Sequence, residues 1–160
     1  MEFDKNSQNA ANATAGDSQS SVYIARQPIF DASGQVEAYE LLYRNTEQNF
    51  SNASTIGDEE ATSAVISESI LNFGMYELTN GKKAFVNFAE GYLLNKAAYL
   101  LDPGQFVIEI LENVVFTVEV IDAVYSLKAA GFEVALDDYI GTEIPEEILS
   151  MIDIVKIDFK

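Results

Sequence analysis

A chain of 160 residues, 48% of them hydrophobic, is long enough for one domain with a substantial core. Its 26 acidic side chains against 9 basic ones give a formal net charge of -17, and its longest basic run is Lys82-Lys83. The clustered cations that a nucleic acid polymer needs are missing, and no apolar stretch approaches the ~20 residues of a membrane span, while a single small anion can still bind beside a metal. With no cysteine and no histidine, the chain can form neither disulfides nor Cys/His zinc sites, and any metal must be held by oxygen ligands, as Mg2+, Mn2+ and Ca2+ are.

Residues 1–21 are rich in Asn, Ser, Ala and Gln and have no apolar period, so they read as a disordered leader, or as a leader with a short helix around Asn9–Thr14. No basic segment followed by an apolar one marks a signal peptide, which makes a cytoplasmic address the default. Residues 22–160 form the second region. "VYIARQPIF" and "VEAYELLYR" read as two strands, and "DASG" between them makes the pair a hairpin or a strand with a β lead-in. A polar loop over 45–58 leads to a helix over about 59–78, with Ile66, Ile70 and Phe73 on one face and "TNG" closing it.

Strand and helix then alternate. Strands are expected at 83–89, 105–111, 132–139 and 153–159, and helices at 90–101, within 113–131, and at 144–152. In the middle helix Val120, Val124 and Leu127 recur at helical spacing, and Gly131 ends it. This rhythm predicts βα units and a parallel sheet.

The strands carry polar residues where apolar ones are expected. Glu40, Asn87, Glu109, the pair Asp137–Asp138, and Asp158 each sit in or near the C-terminal half of a strand, the later ones spaced by 22, 28 and 21 residues. In parallel α/β folds those ends converge on one mouth. Singly, each has an ordinary reading: a strand-end Asp caps a loop, Asn87 bonds locally, and Lys156 with Asp158 is a plain ion pair. Jointly they make a ring of oxygen ligands that would repel itself without cations. One or two divalent metals, which can clamp a phosphate and activate a water, would answer that, with Lys156 as the one cation inside.

These residues resemble the EAL-domain phosphodiesterases of bacterial cyclic di-GMP signalling. "RQPIFDASGQVEAYELLYR" resembles the family's opening, with Glu40-Leu41-Leu42 and Arg44 at its Glu-Ala-Leu signature. "FVNF", "EILE", "LDDYIG" and "VKID" resemble its later strands in order, over about Tyr23 to Phe159. The opening is closest in style to the subclass in which an EAL-like region precedes an HDOD domain. The resemblance implies an α/β fold, a partial TIM-like (β/α) barrel of roughly the first five or six strands. It implies hydrolysis of cyclic di-GMP to pGpG with two Mg2+ or Mn2+ ions. By position, Glu40, Asn87, Glu109 and Asp137 would be metal ligands, with Asp138 and Asp158 at the same centre. Glu40 and Lys156 would carry the catalysis, Lys156 by positioning the water, and Gln27 and Arg44 would lie near the dinucleotide.

Two departures bear on activity. Leu41 stands where the signature has Ala, which is expected to crowd the floor of the site. "DDYIGTE" alters the loop that supports the metals and dimerisation, so a homodimer or a domain–domain partner stays open. The family's later-strand Glu and Gln have no counterpart before Lys160, so an N-terminal part of the domain, inactive alone, is expected. The competing expectation is a degenerate, non-catalytic EAL-like module that binds nucleotide or a protein partner. A generic structural α/β domain would instead leave the carboxylates in solvent.

Overall fold

A computed structural model of the chain describes residues 22–45, 75–141 and 143–157. Six strands form one sheet in sequence order: β1 (Val22–Phe30), β2 (Val36–Asn45), β3 (Lys83–Phe88), β4 (Phe106–Ile110), β5 (Glu133–Tyr139) and β6 (Ile154–Ile157). β1 is antiparallel to β2, and every later pair is parallel. The helices are α1 (Met75–Thr79), α2 (Glu90–Leu94), α3 (Val118–Ala129) and α4 (Glu146–Leu149). The sheet is curled, with the helices on its outer side, and makes part of a TIM-like (β/α) barrel as the sequence predicts. The expected leader over 1–21, the loop over 45–58 beyond Asn45, and the expected helix up to residue 74 lie outside the described residues.

Local chemistry explains most boundaries. In the β1–β2 hairpin the Asp31 carboxylate accepts from the Ser33 and Gln35 amides at 2.8 and 2.9 Å, and Gly34 takes φ +80. Thr117 caps α3, its hydroxyl accepting from the Val120 amide at 3.3 Å. At the other end the Gly131 amide donates to Lys128 O at 3.0 Å and the Phe132 amide to Leu127 O at 3.1 Å. That is a Schellman ending, and it needs the φ of +92 that Gly131 supplies.

Two helices differ from expectation. The segment 90–101 is not one helix: α2 stops at Leu94 and a 3-10 turn follows over Ala97–Leu100. The Asn95 side chain accepts from the Ala97 amide at 2.9 Å, and Lys96 takes φ +63, so a local side-chain bond replaces the next helical one. The 144–152 helix is reduced to the single turn of α4 after Pro145.

The sheet has two unlike faces. Outside, Leu41, Val86, Phe88, Ile108, Ile110 and Leu136 pack with the helices in the main core. Inside, a small cluster holds Ala38, Phe85, Val107 and Ala135, with Ile29 and Ile154 against it. β4 is buried along its whole length, the near-continuous apolar pattern of a parallel strand covered on both sides, and Glu109 is its one charged residue.

Candidate functional site

Strand side chains alternate faces. Glu40, Asn87, Glu109, Asp137 and Lys156 each lie two residues beyond a member of the inner cluster: Ala38, Phe85, Val107, Ala135 and Ile154 respectively. They therefore share the inner face, one layer nearer the C-terminal ends of their strands. The ladders set the stagger: Glu40 is level with Phe85, Asn87 with Glu109, and Glu109 with Ala135.

Lys156 is the hub. Its ammonium lies 2.8 Å from Glu40 Oε2, 2.5 Å from Glu109 Oε1 and 3.2 Å from Asp137 Oδ1. An ammonium has three protons to donate, and three carboxylates stand around it. The Asn87 side-chain amide donates to the other Glu40 oxygen at 3.3 Å. Four of the predicted residues are thus brought together across 116 positions of sequence, from Glu40 to Lys156, and Asn87 is tied to them through Glu40.

Burial makes this cluster costly. The Glu109 side chain is 0% exposed, those of Glu40 and Asp137 13% and 15%, and that of Lys156 27%. A purely structural domain would leave the carboxylates of Glu40, Glu109 and Asp137 solvated, and here they are not. Glu109 Oε2 has no hydrogen-bond partner among the described residues. Burial pushes the Glu109 carboxyl up to about 8; the Lys156 ammonium pulls it back, and the charges of Asp137 and Glu40 add to the rise. Burial alone would lower the Lys156 ammonium, but its bonds to Glu109 and Glu40 outweigh that and hold it above its ordinary value, so it stays charged.

The remaining predicted residues stand further out. Asp138 is exposed at φ +43, in a bulge where β5 takes one more residue than β6, and among the described residues no ion pair ties it to Lys156. Gln27 is level with Glu40 across the hairpin and exposed; Arg44 is level with Tyr23, and its side chain lies outside the described residues, as does Asp158. Leu41 does not crowd the site floor as expected. It follows Glu40 directly, so it faces the other way, and it is buried in the main core at 2% exposure. Sequence reading passed over Arg26, whose guanidinium donates to Leu78 O at 2.6 Å and stacks 4.8 Å over the Tyr39 ring, tying β1 to α1.

The donor set tests whether a hard cation suits the site. Glu40, Asn87, Glu109 and Asp137 supply only oxygen, and one buried Glu109 oxygen is unpartnered among the described residues, so the chemistry fits Mg2+ or Mn2+. The spacing around the ammonium is wider than a metal shell: among the described residues no three acidic side chains stand as one ion's ligands.

Comparison with known proteins agrees with this architecture. No protein-family model matches the chain. It is 44% identical over 143 residues to YuxH of Bacillus subtilis, covering 86% of this chain and 34% of that protein. It is 34% identical over 142 residues to the cyclic di-GMP phosphodiesterase CdgJ of Vibrio cholerae, covering 89% and 33%. The chain thus spans about a third of the length of these curated relatives. Its fold matches an EAL-domain protein of Listeria monocytogenes with a TM-score of 0.65 at 17% identity, over 87% of this chain and 64% of that one. It also matches BlrP1 of Klebsiella pneumoniae, in complex with manganese and cyclic di-GMP, with a TM-score of 0.60 at 21% identity, over 88% and 41%. Among the described residues no helix is long and apolar enough to cross a membrane. Over the part it spans, the chain has the fold of EAL domains and is homologous to a cyclic di-GMP phosphodiesterase.

Proposed function

We propose that this chain is the metal-binding part of an EAL-type cyclic di-GMP phosphodiesterase, acting in the cytoplasm on cyclic di-GMP to give pGpG. The observation that carries the reading is the convergence of Glu40, Glu109 and Asp137, with Asn87, at the C-terminal strand ends. The similarity to CdgJ and the manganese and cyclic di-GMP bound by BlrP1 support it. Glu40, Asn87, Glu109 and Asp137 would hold divalent ions, Mg2+ or Mn2+, with Asp138 and Asp158 nearby. Such ions supply charge neutralisation at the phosphodiester and a water of lowered pKa. Among the chain's own groups, Lys156 would orient that water and meet charge developing on the phosphoryl oxygens. Gln27, level with Glu40, and Arg44 on the same strand as Glu40 would contact the dinucleotide. An HDOD partner domain and a homodimer belong to the same proposal.

A second reading is favoured by one observation: an ammonium already pairs with the three carboxylates, which among the described residues do not stand as one ion's ligands. In it the chain is a degenerate module that binds cyclic di-GMP or a protein without turnover. Titration calorimetry of the chain with cyclic di-GMP, with and without Mn2+, together with a chromatographic assay for pGpG, separates the two. Binding that needs Mn2+ and is lost in Glu109→Gln supports the first. Binding indifferent to Mn2+ and without pGpG selects the second. No binding under either condition overturns both as far as the nucleotide is concerned.

A further inference from the structure

We propose that Lys156 is a built-in competitor for the metal site: its ammonium fills the Glu40–Glu109–Asp137 cluster, and a divalent cation must displace it to load. The inference rests on the metal-binding reading above and adds a device that controls loading.

Three features carry it. The ammonium contacts all three carboxylates within 3.2 Å, so these side chains already share one cation, and a second would have to take the same oxygens from it. Glu109, 0% exposed, keeps one oxygen without a partner among the described residues, so the cluster has ligand capacity the ammonium does not use. Lys156 also has somewhere to go. Its side chain is 27% exposed, whereas that of Glu109 is 0% exposed. A long flexible stem can move its charged end to solvent while its methylenes stay packed.

Both cations cannot hold the same three carboxylates. An ammonium and a divalent ion a few ångströms apart repel strongly in a partly buried site. Binding is therefore linked: whatever free energy Lys156 gains from the cluster is subtracted from the metal's, and metal binding weakens the lysine's hold equally. The chain would load only where the divalent cation is concentrated enough to win, or where a bound phosphodiester offers the released ammonium a new partner.

The test is calorimetric titration of the whole chain with Mn2+ alone. Lys156→Met keeps the stem and removes the charge; it should bind Mn2+ about tenfold tighter than the parent, while Lys156→Arg should stay within about threefold of it. In chelator, Lys156→Met should melt below the parent and gain more from added Mn2+. If the parent binds Mn2+ and Lys156→Met binds equally or more weakly, competition is overturned and the metal reading stands. If none of the three binds, both fall. Should Lys156→Met not fold in chelator, acetylation of the parent decides: Lys156 should be protected in chelator and modified in saturating Mn2+, and equal modification in both overturns the displacement.

Discussion

On the outer face of the sheet Leu41, Val86, Phe88, Ile108 and Ile110 are buried among helices, whereas the inner face holds four buried apolar residues and then turns ionic at Glu40, Glu109, Asp137 and Lys156. The two faces belong to the same strands and often to adjacent residues, as with Leu41 beside Glu40. What differs is the force. The outer face gains free energy by removing apolar surface from water, at roughly 25 cal/mol per Å2. The inner layer spends desolvation on four ionisable groups whose mutual attraction only partly offsets it. A fold that needed stability alone would fill both faces alike, so the ionic layer is where function is to be sought.

The largest effect should come from the outer face. Phe88 is fully buried, with Tyr92 edge-on at 6.0 Å between ring centroids. Phe88→Ala should cost about 3–5 kcal/mol, measured by urea unfolding. The loss should be the same in chelator and in Mn2+. A cost that shrinks when Mn2+ is added would mean the two faces are energetically joined, and would break the comparison.

Leu41→Ala sharpens it further. This change restores the family's Ala, and if Leu41 lined the site it would improve metal binding. Buried instead in the main core, Leu41 should cost about 2–5 kcal/mol when truncated, with Mn2+ affinity unchanged. Unfolding and calorimetry on one preparation distinguish these outcomes.

Leu41 also shows where sequence reading succeeds and fails. The strand–helix rhythm was legible because each strand is a short apolar run and the helix before β5 has a clear stop at Gly131. The meeting of Glu40, Asn87, Glu109 and Asp137 was legible because all lie at the same parity near strand ends. Leu41 was misread because its place in a family signature was weighed above the period of two, which puts it on the opposite face from Glu40. The break at Asn95 was not legible: an apolar helical pattern runs through it, and only the side chain's bond to Ala97 interrupts the helix. Nor was the three-way contact of Lys156. It depends on the stagger of five strands, whereas the sequence shows only Asp158 as a neighbour on the same face.

A smaller effect, and one of opposite kind, is expected with pH. The Glu109 carboxyl is raised to about 8 in the fold from an ordinary 4.5. Between those values the folded chain holds a proton that the unfolded chain has released, so stability must fall as pH rises. The contribution is fully present below about 4.5 and is lost as pH passes through 8. Asp31 and Asp102 are shifted downward, by backbone and side-chain hydrogen bonds, and act only at the acid end, below the ordinary value of 3.8. Thermal melts in chelator from pH 5 to pH 8 should therefore decline for the parent and stay flatter for Glu109→Gln, whose amide is neutral throughout. Phe88→Ala should keep the parent's slope while melting lower at every pH, because the outer face does not titrate. Parallel profiles for the parent and Glu109→Gln would show that Glu109 is charged at neutral pH and that burial does not govern it.

The smallest effect contrasts two lysines. Lys128, in the last turn of α3, pairs with Asp153, whose same oxygen also accepts from the Val134 amide at 2.8 Å. Here one ammonium meets one carboxylate at the rim, and both side chains are about a third exposed. Water can replace the lysine, and the amide keeps the carboxylate in place without it. Lys128→Met should cost no more than about 1 kcal/mol, less in high salt, and should leave Mn2+ binding and the pH profile untouched. Lys156→Met removes the only ammonium contacting three carboxylates among the described residues, and should lower the melting temperature in chelator by clearly more. Matching losses for the two, measured side by side in chelator at low and high salt, would mean that burial does not distinguish the inner cluster from an ordinary rim pair. The division of the sheet into a stabilising face and a costly one would then fail.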